Sequence, residues 1–363
     1  MARTLPDVIR CDWPADQPEP PPATAAALDR AAKILRRGGL VAIPTETVYG
    51  LAADALDEDA VAGIFRAKGR PASNPLIVHV ADEAMARSLA GGWPEPATAI
   101  AVRHWPGPVT LVVPRGPRIP AIVTAGGATV AMRCPEHRLA RRLIAVLGRP
   151  LAAPSANRSE ELSPTTAQHV LAGLGSKVEL ILDGGPCERG IESTVVDCTT
   201  DPPRILRPGP LSREAVATAV GTAVVWPDPG PRPRPDAGGE TARSPGQSTR
   251  HYAPQTPLET CENAADRVAE LLAAGRRVGW LTTRIDDPAV RTLASSRDLV
   301  VVPMPADPDA YAARLYATLH ALDQRELDRI AVETPPDTDA WRAVRDRLDR
   351  AAARQDESRR RRT

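Results

Sequence analysis

The densest run of polar chemistry in the chain is Thr45-Glu46-Thr47, set directly behind the apolar run 41–43 and Pro44. Pro44 has no N–H to give a strand ladder, so it ends the strand and delivers two hydroxyls and a carboxylate to its C-terminal edge. Open α/β sheets bind ligands at that edge. On this run alone, a polar turn behind a strand is an equal alternative. Lys68 and Arg70, in Lys68-Gly69-Arg70-Pro71, supply fixed positive charge for phosphate or carboxylate oxygens. Alone, such a pair is more often a solvated basic turn after a helix. Asn74 stands before Pro75 and can serve a phosphate, a ribose or simply the turn. His79 lies inside an apolar strand, where a satisfied core histidine is the usual occupant. Thr129 and Arg133 are four apart, so they share one face of a strand; an exposed strand end with the arginine reaching water fits as well. Ser155 and Asn157 bracket a tight turn in Ala153-Pro154-Ser155-Ala156-Asn157. Ser193-Thr194 opens a strand after a glycine turn, and Arg207 follows Ile205-Leu206.

Elements that position these residues are readable from periodicity and punctuation. A helix is expected from Thr24 to Arg37, then a strand at 40–43, and a helix from Asp57 that buries Val61, Ile64 and Phe65. Strands at 76–80, 109–113, 128–133, 151–153, 178–182, 193–198 and 204–207 alternate with helices near 82–90, 97–104, 138–147 and 165–174. Such alternation implies an α/β core, and several connections are too short for parallel crossovers, so the sheet should be mixed. Residues 1–23 are Pro-rich and polar and are expected to form a loose tail. The first domain then covers 24–220, and 221–254, rich in Pro, Gly and Arg, reads as a linker and candidate lid. Residues 255–353 alternate helix and strand as a smaller Rossmann-like, doubly wound domain, without a Gly-x-Gly-x-x-Gly fingerprint for a nucleotide. The basic tail 354–363 ends in Arg359–Arg362, a solvated run or a weak tRNA contact.

Composition excludes several classes. A net charge of +1 gives no global field for a nucleic acid, and 3% aromatic residues give few stacking platforms. The five cysteines, at 11, 134, 187, 198 and 261, include no Cys-x-x-Cys pair; they argue against zinc or disulfides and fit a reducing cytoplasm. With no signal peptide and no apolar run near 18 residues, neither secretion nor a membrane span is expected. No Ser–His–Asp or Cys–His arrangement is evident, so no covalent enzyme intermediate is expected.

Several rare strings occur in fixed order: Pro-Thr-Glu-Thr-Val-Tyr-Gly-Leu at 44–51, Lys-x-Arg-Pro at 68–71, Pro-Leu-x-x-His at 75–79, and Ala-Pro-Ser-Ala-Asn at 153–157. In these the chain resembles the YrdC-like family in its longer, two-domain form, strongly over about residues 24–212 and more weakly beyond. The resemblance implies a YrdC-like mixed twisted sheet with flanking helices. It also implies an enzyme, a nucleotidyltransferase that condenses L-threonine, bicarbonate and ATP into L-threonylcarbamoyladenylate, releasing pyrophosphate, for tRNA modification. Lys68, Arg70, Ser155 and Asn157 would then form the catalytic tetrad. Threonine would meet Thr47, His79, Arg133, Ser155 and Ser193. ATP would meet Arg70, Asn74, Thr129, Asn157, Thr165 (in the Ser-Pro-Thr region), Arg207 and, from the linker, Tyr252. Mg²⁺ would accompany ATP; Glu46 and Glu192 are candidate ligands, with no dedicated carboxylate cage in view. Downstream tRNA-modifying machinery would be the partner.

Residues 250–254, Arg-His-Tyr-Ala-Pro, match the family's inter-domain motif, but Gln247 and Ser248 stand where the family usually carries Met and a basic residue. Two other readings compete. A carbamoyltransferase using carbamoyl phosphate could share the fold, although the extra domains of such proteins are missing here. A non-catalytic RNA-binding module would use the arginine-rich surface, against the near-neutral charge.

Overall fold

The computed structural model describes residues 5–226 and 252–353, which fall into two compact units. Among the described residues the first takes 5–159 and 163–226, the second 160–162 and 252–353.

The first unit begins with β1 (Asp7–Arg10), α1 (Pro22–Arg36), β2 (Val41–Ile43), β3 (Gly50–Asp54), α2 (Glu58–Lys68) and β4 (Ile77–His79). It continues with α3 (Glu83–Leu89), α4 (Glu95–His104), β5 (Val109–Pro114), β6 (Thr129–Arg133), α5 (Arg138–Leu147) and β7 (Leu151–Ala152). It closes with α6 (Ala167–Leu174), β8 (Leu180–Asp183), β9 (Thr194–Asp197), β10 (Arg204–Arg207) and α7 (Arg213–Val220). The ten strands form one sheet in the order β1-β8-β2-β3-β7-β4-β6-β5-β9-β10. Four pairs are parallel (β1 with β8, β8 with β2, β4 with β6, β5 with β9) and the other five antiparallel, so the sheet is mixed, as the short connections require.

Two faces of this sheet do different work. Val78, Val130, Met132, Leu111, Val113 and Val196 point into the main core. Their strand neighbours Ile77, Ala131, Val112 and Val195 form a small separate apolar patch on the other face. Side chains alternate along a strand, so His79, Thr129, Arg133 and Thr110 share the face of that patch.

Helix α2 is set by its ends. The Asp57 carboxylate accepts the amides of Asp59 and Ala60 at 3.0 and 3.1 Å, and Gly69 adopts φ +64° just past the last turn. That left-handed step costs glycine little. It makes Lys68 the last helical residue and turns Arg70 away from the helix axis.

Several expectations need correction. Residues 7–10 are no loose tail: β1 pairs with β8, and Cys11 is buried. Helix α1 starts at Pro22 rather than at a Thr24 cap, because Pro suits a first turn whose amide needs no partner; the Thr24 hydroxyl instead donates to the Asp12 carbonyl at 2.9 Å. Strand β3 is absent from the expected elements because its residues are buried on both sides and show no alternation. The expected linker start is also pinned: Ile205 N donates to Val225 O at 2.9 Å, and Val224 is buried. Residues 227–251 of the linker and lid, with Gln247 and Ser248, and the basic tail 354–363 lie outside the described residues.

The second unit carries β11 (Leu258–Cys261), α8 (Ala264–Ala273), β12 (Val278–Thr282), α9 (Pro288–Leu293), β13 (Leu299–Pro303), α10 (Pro308–Asp323), β14 (Arg329–Glu333) and α11 (Arg342–Ala352). Its four strands pair in parallel, in the order β11-β14-β12-β13, with helices flanking them. Val268, Leu271, Val278, Trp280 and Ala331 fill its core. Strand β11 escaped the sequence reading because Leu-Glu-Thr-Cys is short and half polar. Among the described residues no helix is long and apolar enough to cross a membrane.

Candidate active site

Register builds the first part of the site. Parallel pairing of β4 with β6 sets His79 opposite Arg133. The antiparallel pairing of β2 with β3 closes a loop, 44–49, that brings Thr45, Glu46 and Thr47 against the same arginine. Arg133 Nη1 donates to Thr47 Oγ1 at 2.8 Å, and Thr47 Oγ1 lies 2.9 Å from Thr45 Oγ1. Thr45 Oγ1 in turn donates to the Val48 carbonyl at 2.6 Å and accepts the Thr47 and Val48 amides, which makes Thr45 the brace of the loop.

Glu46 and Arg133 form an ion pair at 2.7 Å between side chains 3% and 4% exposed. The pair is close but lacks the alignment of a hydrogen bond: Arg133 Nη2, both Glu46 carboxylate oxygens and His79 Nδ1 are buried without a hydrogen-bond partner among the described residues. Burial by itself would raise the Glu46 carboxyl, but the charge of Arg133 and the nearby amides of Glu46 and Glu136 outweigh it and hold it below the ordinary carboxylate range. Burial, helped by Arg133 and opposed by Glu46, pushes His79 down to about 3, so its imidazole is neutral at working pH.

A second cluster gathers around the end of α2. Buried Lys68 donates from Nζ to the carbonyls of Ser155 at 2.6 Å and Asn157 at 2.5 Å, with Asn157 Oδ1 at 3.4 Å. Buried Arg70 donates to Asn74 Oδ1 at 2.5 Å, to the Asn74 carbonyl at 3.1 Å and to the Pro75 carbonyl at 2.9 Å. The 155–157 turn is tied to the loop before β3, since Ala156 N donates to Tyr49 O at 2.8 Å. Lys68, Ser155 and Asn157 therefore share one network, while Arg70, two residues on, is held by Asn74 and the Pro75 carbonyl.

A third part lies at β9. Ser193 Oγ is 2.7 Å from Thr110 Oγ1, and Arg207 reaches Ser193 O at 2.9 and 3.1 Å and Ser193 Oγ at 3.1 Å. Thr129 shares the sheet face of Arg133 at the start of β6. Thr165 Oγ1 lies 3.3 Å from His169 Nδ1, ahead of α6. Tyr252 belongs to the second unit, where it is buried, its ring 5.9 Å from that of Tyr316 and 5.2 Å from the Arg347 guanidinium carbon.

Two residues were missed by their roles. Thr110, which fixes Ser193, stood out only as a hydroxyl in an apolar strand. Glu46 was weighed as a metal ligand, yet it faces Arg133. Among the described residues no cluster of three or more His, Cys, Asp or Glu side chains could hold a metal. Glu192 accepts from Ser163 Oγ at 2.5 Å. With Glu46 on Arg133, neither carboxylate fits a protein-held Mg²⁺.

The arrangement can hold a small charged ligand against Arg133, out of water, with fixed cations on the adjoining loop network. The comparisons agree in kind. A Sua5/YciO/YrdC family model, described as "Telomere recombination", matches residues 33–209, and a model described as "Threonylcarbamoyl-AMP synthase, C-terminal domain" matches 211–353. The chain is similar to a threonylcarbamoyl-AMP synthase of Bacillus subtilis, 43% identical over 329 residues, covering 89% of this chain and 92% of that one. It is 40% identical to a threonylcarbamoyl-AMP synthase of Pyrococcus abyssi over 331 residues, 89% and 93% of the two chains. Its structure resembles that of P. abyssi Sua5 complexed with L-threonine, with a TM-score of 0.81, 36% identity, and 95% and 97% of the chains covered.

Proposed function

Since the chain belongs to the threonylcarbamoyl-AMP synthase family, we propose that it makes L-threonylcarbamoyladenylate from L-threonine, bicarbonate and ATP, for threonylcarbamoyl modification of tRNA. The observation that carries this reading is the buried Arg133, whose Nη2 lacks a hydrogen-bond partner, beside a neutral His79 whose Nδ1 lacks one too. A small ligand with a carboxylate and hydroxyl satisfies both.

The chemistry asks for position and charge rather than an enzyme nucleophile. Threonine's amine, after losing a proton, adds to bicarbonate and water leaves, giving a carbamate. A carbamate oxygen then attacks the α-phosphorus of ATP, and pyrophosphate departs, which is a nucleotidyl transfer. In this reading Arg133 grips the threonine carboxylate, and Thr47, His79 and Ser193 orient the rest of the amino acid. Lys68 fixes the 155–157 turn, so Ser155 and Asn157 meet the reacting groups in a set geometry. Arg70, steadied by Asn74, neutralises phosphate charge; Thr129, Thr165 and Arg207 are assigned to ATP. Burial keeps bulk water from the labile carbamate. Mg²⁺ is assigned to the ATP phosphates and water rather than to protein carboxylates. Five free cysteines, four of them buried, support a reducing cytoplasm as the site of the reaction, with the tRNA-modifying machinery as recipient of the product.

Pyrophosphate release with ATP and Mg²⁺, measured with and without L-threonine and bicarbonate, tests the reading. Release that needs both, and is lost in Arg70→Ala, is the expected result. Release indifferent to threonine, or supported by carbamoyl phosphate instead, would overturn it.

A further inference from the structure

We infer that Glu46 is the receptor for the ammonium group of the amino-acid substrate, with Arg133 taking the carboxylate. The inference rests on the threonine reading above and adds the half of the zwitterion that no other residue accounts for.

A buried carboxylate ordinarily collects two or three hydrogen bonds, because leaving it without them is costly. Neither buried Glu46 oxygen has a well-aligned hydrogen bond among the described residues, although Arg133 Nη2 is only 2.7 Å away and the amides of Glu46 and Glu136 lie near. An ammonium brings three N–H donors to that gap. Charge balance points the same way. The Glu46–Arg133 pair is neutral as a unit, and so is an amino acid. Exchanging the internal pair for two pairs, carboxylate on guanidinium and ammonium on carboxylate, leaves no buried charge uncompensated. If Arg133 alone bound the substrate, a desolvated ammonium would face only the neutral imidazole of His79 and neutral hydroxyls.

Other buried carboxylates of the described first unit are committed elsewhere. Asp54 is engaged by Arg149 at 2.8 Å and by the Leu56 amide. Asp197 accepts the Thr199 amide and hydroxyl. Glu192 accepts from Ser163. Glu46 is the one beside Arg133. The site should therefore select ligands carrying a free α-ammonium, and reject α-hydroxy acids and N-acylated amino acids of the same shape.

A cycle between protein and ligand tests this. Binding of L-threonine and of 2,3-dihydroxybutanoate, in which a hydroxyl replaces the ammonium, is measured by calorimetry on the full chain and on Glu46→Gln. The expected result is a loss of threonine affinity of about tenfold or more in Glu46→Gln, with the hydroxy acid changed by less than about twofold. Equal loss of both ligands would mean that Glu46 only seats Arg133, and would overturn the inference, as would no loss of either. If Glu46→Gln does not fold, Glu46→Asp, which keeps the charge at shorter reach, reads the same cycle with the same expected asymmetry. A wild-type chain that binds no threonine would overturn the proposed function as well; one that binds threonine without coupling to Glu46 would overturn the inference alone.

Discussion

Arg133 stands opposite His79 in the parallel register of β4 and β6, so backbone pairing puts a cation beside a buried imidazole. The structure keeps that imidazole neutral, with its pKa pushed from 6.5 to about 3. Between those values the unfolded chain binds a proton that the folded chain refuses, so unfolding free energy must fall as pH drops below 6.5. The slope from one such group is at most about 1.4 kcal/mol per pH unit. Burial lowers His137 as well and adds in the same direction. Urea denaturation between pH 7 and pH 4.5 should show this decline, and His79→Gln should make it shallower without abolishing it. An unchanged slope in the variant would mean His79 is protonated in the folded chain.

The Glu46–Arg133 pair makes a separate prediction about stability. Removing one partner of a buried ion pair leaves the other charge without compensation, at a cost of about 3–5 kcal/mol. Arg133→Met should lower stability by that amount in chemical denaturation. Adding Glu46→Gln to it should restore most of the loss, since no buried charge then remains. A double variant as unstable as Arg133→Met would show that Glu46 reaches water when its partner is gone.

How much of this was legible in the sequence depends on how local each cause is. The start of helix α2 could be read, because the Asp57 cap lies within its own segment. The mixed character of the first sheet followed from connection lengths. Strand β3 was hidden, since Gly50–Asp54 is buried on both faces and carries no period. In the site, residue types were visible but partners were not. Lys68 was legible as a fixed cation, yet its acceptors here are the backbone carbonyls of Ser155 and Asn157, which no residue letter encodes. The Glu46–Arg133 contact depends on a loop and a strand far apart in the chain, so Glu46 was readable only as a candidate metal ligand.

Those carbonyl acceptors shape the outcome of changing Lys68. Lys68→Met keeps the side chain up to the Cε position and removes two charge-assisted hydrogen bonds to the 155–157 turn, each worth about 1.5–3 kcal/mol. The turn should loosen, and with it Ser155 and Asn157. Pyrophosphate release should fall by about a hundredfold or more, chiefly in kcat, while threonine affinity at the Arg133 end changes by less than about threefold. Steady-state kinetics paired with calorimetry separates the two. A loss confined to threonine affinity would move Lys68 out of the phosphate end of the site.

Gly209 tests whether Ser193 is held by backbone contact. A Cβ at position 209 would sit 2.3 Å from Thr194 N, 2.6 Å from Ser193 C and 2.7 Å from Glu192 O. These are main-chain atoms, unable to swing aside as a side chain could. Gly209→Ala must therefore displace either the 208–210 segment or the start of β9. Ser193 carries the Thr110 contact and all three Arg207 bonds, so that displacement reaches the site directly. Overpacking of this kind costs about 1–3 kcal/mol. The variant should unfold at lower denaturant and bind threonine more weakly, whereas a change at exposed Val102 of α4, such as Val102→Ala, should do neither. If Gly209→Ala were as stable as wild type with threonine affinity intact, the approach of the two segments would be looser than the structure shows, and Ser193 would owe its position to Thr110 and Arg207 alone.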